Sequence, residues 1–255
     1  MDVDFDKTSS DYATHRAGFP ASFYERLLAM GIEFSGKRLV DIGTGTGTLA
    51  RGFAQRGAIV TGIDPSPNML AEATRLAAGE GLTIEFVNAT AEHTGCADAQ
   101  MDLVSAGQCW HWFDRPAAGA EVYRILKPGG RIIIAHYDWI PLPGNLLELT
   151  ENLICQFNPA WRGGGGTGIY RRWYADVSGA GFKELASCTY DEAAPYTHEA
   201  WRGRVRASAG IAASLPADRV KAFDSALAEA MARHFPADPL AVHHRVFILS
   251  ACKPS

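Results

Sequence analysis

A glycine cluster that lies directly between an apolar run and a helical pattern limits this fold more than any other feature. The run Arg38-Leu-Val-Asp-Ile42 predicts a short strand, and Asp41-Ile-Gly-Thr-Gly-Thr-Gly47 leads into the next element. Leu49 and Phe53 are four residues apart, the spacing of one helix face. Glycines at such a point allow a sharp turn and let a ligand come close to the main chain. The order strand, glycine loop, helix therefore predicts a ligand site at the start of an α/β unit.

The alternation of strand and helix continues along the chain. Short apolar runs predict strands at residues 38–42, 58–63, 82–87, 101–105 and 131–135, with two further strands at 182–190 and 242–252. Strands separated by helices are joined by right-handed crossovers, which make neighbouring strands parallel. We therefore expect an α/β fold, a doubly wound and mostly parallel sheet of seven strands with helical additions.

Capping residues predict where the helices begin and end. Ser66 and Pro67 form the usual pair of N-cap and first helical residue, and Asp114 can cap a helix that runs to Leu126. The sequence Lys127-Pro-Gly-Gly130 then predicts a stop and a turn.

The domain organisation follows from the same pattern. Residues 197–235 are rich in helical signals, and the chain contains neither an internal repeat nor a long linker. We expect a single domain over residues 1–255, in which 36–138 form the ligand-binding core. The additions at 1–35, 139–180 and 191–240 would then cover a substrate.

The charge balance and the hydropathy pattern disfavour several classes of partner. The chain has 24 Lys and Arg against 28 Asp and Glu, a formal net charge of −4, which argues against a surface that tracks nucleic-acid phosphates. It lacks an unbroken apolar run of the roughly 18 residues that a membrane span needs. The acidic start Met1-Asp-Val-Asp-Phe-Asp-Lys7 does not look like a signal peptide. We expect a cytoplasmic protein that binds a small molecule, and the sequence leaves its oligomeric state open.

The cysteines and histidines give no metal-binding pattern. The five cysteines, Cys96, Cys109, Cys155, Cys188 and Cys252, are widely spaced and include neither a C-x-x-C pair nor a zinc-like cluster with histidine. We interpret them as reduced thiols. His243 and His244 are adjacent on a predicted strand, so their side chains point to opposite faces and would not share a metal.

An acidic residue at the end of the second strand narrows the type of ligand. Asp64 follows Gly43 by about twenty residues, the place where an acid accepts the ribose hydroxyls of a nucleoside-containing cofactor. The dinucleotide fingerprint G-x-G-x-x-G is not matched, because Gly47 comes one residue early and Thr48 follows it. An NAD-dependent oxidoreductase is therefore disfavoured.

Four motifs in order resemble the class I S-adenosylmethionine-dependent methyltransferases. They are Leu39-Val-Asp-Ile-Gly-Thr-Gly-Thr-Gly47, Gly62-Ile-Asp-Pro-Ser66, Ala91-Glu92 and Leu126-Lys-Pro-Gly-Gly-Arg131. In addition, Tyr12-Ala-Thr-His-Arg-Ala-Gly-Phe-Pro20 resembles the entry segment of the type 11 small-molecule branch. The loop Cys109-Trp-His-Trp-Phe-Asp114 is similar to that of trans-aconitate methyltransferase relatives.

The resemblance implies S-adenosylmethionine as the cofactor and assigns it a set of contact residues. The glycines would approach its methionine and ribose portions, the acid of the second strand would hold the ribose hydroxyls, and an N-terminal segment would cover it. The residues implied are Tyr12, Arg16, Asp41, Gly43, Thr44, Gly45, Gly47, Asp64, Pro65, Ser66, Met69, Ala91, Glu92 and Gln108.

Two histidines are candidates for a general base. Transfer of a methyl group needs a base only where the accepting atom carries a proton with a pKa above the working pH. His111 and His136 each follow a strand at its carboxyl end, where ligands bind in such folds. We favour His111, and the alternative for both is a packed or solvated imidazole.

Aromatic and basic residues near the same edge are candidates for substrate contacts. Trp110, Trp112, Tyr137 and Trp139 could form a wall beside a flat substrate, or they could simply fill the core beneath added helices. Arg171 is a candidate for binding a carboxylate or phosphate. Arg202, Arg204 and Arg206 are candidates for the same contact, but a solvated surface is favoured for them, because a spacing of two does not put arginines on one helix face.

These observations predict an S-adenosylmethionine-dependent methyltransferase that methylates an oxygen or nitrogen of a small-molecule metabolite. One alternative is a protein that binds the cofactor without transferring its methyl, such as a regulator or a cyclase-like relative. Another is a nucleic-acid methyltransferase, although the Asn/Asp-Pro-Pro-Tyr tetrad of amino-methylating enzymes is replaced by Ser105-Ala-Gly-Gln108.

Overall fold

The computed structural model describes residues 18–255, and its centre is a sheet of seven strands. The strands are β1 (Arg38–Ile42), β2 (Ile59–Asp64), β3 (Glu85–Asn88), β4 (Met101–Gly107), β5 (Leu126–Trp139), β6 (Lys183–Tyr196) and β7 (Leu240–Cys252). Their order is β3-β2-β1-β4-β5-β7-β6, and the pairs from β3 through to β5 are parallel. The predicted fold class is confirmed.

The helices lie between these strands as the alternation predicts. They are α1 (Ala21–Ala29), α2 (Thr48–Ala54), α3 (Pro67–Gly79), α4 (Arg115–Ile125), α5 (Leu146–Phe157), α6 (Arg171–Gly179), α7 (His198–Arg206) and α8 (Ala217–His234). The predicted caps are confirmed: Ser66 Oγ accepts the Met69 N–H at 3.1 Å, and Asp114 Oδ1 accepts the Ala117 N–H at 3.2 Å. Both side chains satisfy a backbone donor that the first turn of a helix leaves unpaired.

The turn expected at Lys127–Gly130 is the main error in the predicted elements. Helix α4 does stop at Ile125, but the next residues belong to β5, where the register with β4 shifts between Met101 and Leu103. Lys253 explains the difference, because the Gly129 N–H donates to the Lys253 carbonyl and the Lys253 N–H donates to the Gly130 carbonyl, both at 2.8 Å. These bonds keep the segment in the sheet as an irregular strand.

The chain forms two compact units. The glycine-loop unit comprises residues 18–137, Ile169–Thr189 and Val246–Ser255, and the α7–α8 unit comprises Asp138–Gly168 and Tyr190–Arg245 among the described residues. The predicted single domain with substrate-covering additions stays a prediction.

Each unit has a hydrophobic core of its own. Buried strand residues such as Val40, Ile63 and Ile132 fill the core of the glycine-loop unit. The core of the α7–α8 unit is built from Trp201, Phe223 and other side chains that α5, α7 and α8 supply. None of the helices between residues 18 and 255 combines the length and the apolar character that crossing a bilayer takes.

We predict that Phe223→Ala destabilises the protein by about 3–5 kcal/mol, because a fully buried ring is replaced by a cavity. The ring is fully buried and meets Phe157 edge-on at 5.6 Å. Chemical denaturation measures the change, with Glu229→Ala on the exposed face of α8 as a control expected within about 0.5 kcal/mol of the unchanged protein. A loss as small as the control's would contradict this account of the core.

Candidate functional site

The glycine loop between β1 and α2 adopts a backbone that favours glycine at three positions. Gly43, Gly45 and Gly47 have φ angles of 62°, 55° and 76°, all in the left-handed region. The Thr44 N–H donates to the Ile63 carbonyl at 2.9 Å and ties the loop to β2. Gly47 is the N-cap of α2, so the loop delivers the chain directly into the helix.

Two of these glycines have very different surroundings. A β-carbon at Gly43 would come within 2.9 Å of the Cys109 side chain and of the Phe113 ring. A β-carbon at Gly45 would meet no atom within 4 Å. The loop is therefore packed on one side against the segment after β4 and is open at Gly45, where a ligand can approach the backbone.

Asp41 is buried beneath the loop and holds it by hydrogen bonds. Its Oδ2 accepts the Thr44 hydroxyl and its Oδ1 accepts the Ser105 hydroxyl, both at 2.6 Å. Burial raises the pKa of Asp41 from 3.8 to about 6, although the two hydroxyl donors act in the opposite direction, and the nearby Asp64 charge adds to the rise. Asp41 therefore contacts the loop through Thr44, and its predicted role towards the cofactor stays a prediction.

Asp64 at the end of β2 holds the open part of the loop. Its Oδ2 accepts the Gly45 N–H at 2.8 Å and its Oδ1 accepts the Ser66 N–H at 2.9 Å. The Asp64 side chain therefore lies directly beside the open glycine.

The remaining predicted cofactor residues differ in their contacts and in their burial. The Asn88 side chain donates to the carbonyls of Asp64 and Pro65, which fastens the end of β3 beside β2. Met69 and Ala91 are buried, and Glu92 Oε1 accepts the Asp114 N–H at 3.0 Å. Tyr12 and Arg16 lie outside the described residues.

The edge formed by the ends of β4 and β5 contains a strained residue. Gln108 has a φ of 59°, uncommon for a residue with a side chain, and such strain concentrates at functional sites. Its N–H donates to the Ala135 carbonyl at 2.8 Å, and its side-chain amide donates to the Tyr137 carbonyl at 2.9 Å. Gln108 thus joins the two strand ends.

The two predicted histidines come together at this edge. The rings of His111 and His136 lie 5.5 Å apart, His111 exposed and His136 buried. Tyr170, which the sequence did not single out, places its hydroxyl 3.0 Å from His136 Nδ1 and stacks on Trp173 at 3.8 Å. No local pattern could have revealed Tyr170, because its partner His136 lies on β5, far away in the sequence.

The four aromatic residues predicted beside a substrate have unlike surroundings. Trp110 is fully buried and its Nε1–H donates to Asp176 at 3.2 Å, while Trp112 is 53% exposed. Tyr137 is buried, with its ring 6.2 Å from that of Phe19. Trp139 belongs to the α7–α8 unit, where its Nε1–H donates to Glu151 at 2.8 Å.

The basic residues also differ from one another. Arg171 is exposed at the first residue of α6. The solvated surface expected for the arginines of α7 is wrong for Arg202 and Arg206, which are half-buried and both donate to Asp224 at 2.6 Å. These two are four residues apart and share a helix face, so one acid on α8 reaches both. His243 is exposed and His244 buried, as opposite faces of a strand require.

Comparison with known proteins places this geometry in a family. A family model described as a methyltransferase domain matches residues 40–134. A demethylmenaquinone methyltransferase of Thermus thermophilus is 35% identical over 152 residues, which are 57% of this chain and 68% of that protein. The chain belongs to the class I S-adenosylmethionine-dependent methyltransferases. S-adenosylmethionine is its cofactor.

Two further similar proteins are also named as methyltransferases. An uncharacterised methyltransferase of Mycobacterium tuberculosis is 34% identical to this methyltransferase over 132 residues, 52% of this chain and 51% of the relative. The chain thus spans about half the length of the first curated relatives it matches. The structure of a putative type II methyltransferase from Anaeromyxobacter dehalogenans has a TM-score of 0.65 at 21% identity, covers 94% of this chain and 98% of its own, and shares the fold.

We predict that Asp41→Asn changes the stability of the cofactor-free methyltransferase in a pH-dependent way. The Asp41 carboxyl group binds its proton more tightly in the folded chain than in the unfolded chain. The stability that this protonation contributes is therefore complete below about pH 4 and is lost as the pH rises through about 6. The variant lacks this loss. Its free energy of unfolding relative to the wild type should therefore improve by about 3 kcal/mol between about pH 4 and pH 7.5. A difference that stays constant with pH would contradict the raised pKa.

We also predict that Gly43→Ala destabilises the methyltransferase more than Gly45→Ala. Both substitutions force a side chain into the left-handed region, at about 1–2 kcal/mol. Gly43→Ala adds a clash with Cys109 and Phe113 of about 1–3 kcal/mol, whereas Gly45→Ala meets open space. Thermal and chemical unfolding of the two variants side by side measure the difference, and equal losses would mean that the packing against Gly43 is not tight.

Proposed function

We propose that this methyltransferase moves the methyl group of S-adenosylmethionine to an oxygen or nitrogen of a small-molecule metabolite. The observation that carries the proposal is the segment from Cys109 to Phe113. Both of its ends pack against Gly43, and its middle residue, His111, lies beside His136. One short segment therefore links the cofactor loop to two proton-accepting side chains.

The residues of the glycine-loop unit fit the cofactor. The loop is open at Gly45, and the Asp64 carboxylate lies directly beside it to accept ribose hydroxyls. Gly43, Thr44 and Gly47 shape the turn, and Pro65, Ser66, Met69, Ala91 and Glu92 would line the adenine side. When bound, the cofactor supplies an activated methyl group together with its own leaving group, so the protein mainly provides alignment and exclusion of water.

The histidines would serve acceptors that carry a proton. In our proposal His111, the exposed ring, takes the proton from the attacking atom, and His136 supports it from the buried side. Gln108 would face the reacting centre from the end of β4. Trp112, Tyr137 and Arg171 remain candidates for contacts with the acceptor.

The names of the relatives support a small-molecule acceptor. Demethylmenaquinone, a small molecule, is the substrate in the name of the Thermus relative. The net charge of −4 of the present chain in turn argues against a nucleic-acid acceptor. We further propose that the protein belongs to the type 11 small-molecule branch and acts in the cytoplasm. In this proposal residues 1–35, 139–180 and 191–240 cover the acceptor.

Calorimetry with S-adenosylmethionine and S-adenosylhomocysteine tests the cofactor site. We predict binding of both by the wild type and a loss of at least about tenfold in affinity for Asp64→Ala, because hydrogen bonds to a charged group contribute about 1.5–3 kcal/mol each. Asp64→Asn keeps one acceptor oxygen and should lose less, and Gly45→Val should lose binding while still folding. Glu25→Gln on the exposed face of α1 is the control. Failure of the wild type to bind either ligand would overturn the cofactor site.

Incubation with methyl-labelled cofactor and a metabolite extract tests the reaction. A small molecule that gains one methyl group supports the proposal, and His111→Ala should then slow its formation without changing cofactor affinity. Cofactor binding without any methylated product would instead indicate a regulator or a cyclase-like protein. Label found only in nucleic acid would contradict a small-molecule acceptor.

A further inference from the structure

Helix α7 carries arginines at three alternate positions, Arg202, Arg204 and Arg206. Arg204 differs from the other two in its ion pairs. Arg202 and Arg206 each place a guanidinium nitrogen 2.6 Å from Asp224. Among residues 18–255, no carboxylate lies within 4.0 Å of the guanidinium of Arg204. The acid on α8 thus pairs with two arginines of the helix, and within the described part of the chain the third has no ion pair.

Arg204 lies among aromatic rings of the α7–α8 unit. Its guanidinium carbon is 5.0 Å from the centre of the Trp139 ring. Trp139 meets Trp201 at 5.5 Å, and Trp201 meets Tyr196 at 5.4 Å and His244 at 6.3 Å. Glu151 fixes the position of Trp139 by accepting its indole N–H at 2.8 Å. The cation therefore lies at the edge of a set of rings whose positions are fixed by packing.

The charges around Arg204 compensate it only in part. Burial lowers its pKa, and the opposing influences come from Tyr196 and Asp138. Burial, with a smaller effect of Arg204 itself, lowers the pKa of His244 to about 4, so that this ring is neutral near pH 7. Among the described residues, Asp138 is the carboxylate whose charge acts on Arg204, and it lies beyond ion-pair distance. A half-buried cation in this position favours an additional anion.

We propose that Arg204 anchors a binding site for the carboxylate of a small molecule with a flat ring. A guanidinium presents paired N–H donors that match the two oxygens of a carboxylate. The Trp139 ring, over one face of which the guanidinium itself lies, is half-buried and can contact the flat ring with its remaining exposed surface. A phosphate dianion would bring a second negative charge towards Asp138, so the site favours a singly charged carboxylate. The site is a property of the α7–α8 unit and does not depend on the proposed methyl transfer.

Binding of benzoate to the full chain tests the proposal, with benzamide as its uncharged counterpart and inorganic phosphate as the competing anion. Calorimetry measures the affinities, and the tryptophan fluorescence reports a ligand beside Trp139. We expect saturable binding of benzoate and none of benzamide. Arg204→Gln should weaken the binding of benzoate at least about tenfold, because the paired charge-assisted hydrogen bonds to the carboxylate are lost. Arg204→Lys keeps the charge but not the paired donors. Its affinity for benzoate should therefore lie between those of the wild type and Arg204→Gln.

Arg233→Gln is the matched control, since it removes one exposed arginine charge from α8 in the same unit. Its affinity for benzoate should stay within about twofold of the wild type, because a distant exposed charge is largely screened. Absence of benzoate binding to the wild type, or equal affinity of Arg204→Gln, would overturn the site. Tighter binding of phosphate than of benzoate would overturn the carboxylate assignment. If Arg204→Gln does not fold, the comparison of benzoate with benzamide on the wild type still tests whether the chain recognises the carboxylate. Equal binding of the two ligands would overturn the carboxylate assignment.

Discussion

The buried carboxylate of Asp41 is the interaction on which the candidate site depends. It lies in register with Ser105 of the neighbouring strand β4, and it accepts hydroxyl groups from both Ser105 and Thr44. Loss of hydration makes a buried carboxylate costly, and the two hydroxyl donors offset part of that cost. In return, one side chain fixes the start of the glycine loop to two strands of the sheet. The left-handed glycines that follow need such an anchor, because their backbone has many other conformations available.

A second acid completes the arrangement from the other side. Asp64 holds the Gly45 and Ser66 backbone through its two oxygens, so the loop is attached to the end of β2 as well. The same carboxylate is the group that we expect to bind ribose. A ligand would therefore find its partner already oriented, and less conformational entropy is lost when a site is fixed before binding.

The sequence predicted those features that depend on residues close together in the chain. The glycine loop, the caps at Ser66 and Asp114 and the order of the elements all follow from local patterns. The strand at Lys127–Gly130 could not be predicted this way, because it depends on bonds to Lys253 near the other end of the chain. Tyr170 was missed and the environment of Arg202 was wrong for the same physical reason, since their partners His136 and Asp224 belong to other elements. The motifs predicted the family, because they too are local patterns.

The separate hydrophobic cores of the two units have an evolutionary consequence. The family model ends at residue 134, close to the point where the glycine-loop unit gives way to Asp138 and the α7–α8 unit. The two cores share no residue, so a mutation in the second core changes no side chain of the core beside the glycine loop. A lineage of such proteins can acquire new binding properties by drift in one half of the molecule, without passing through forms that lose the other.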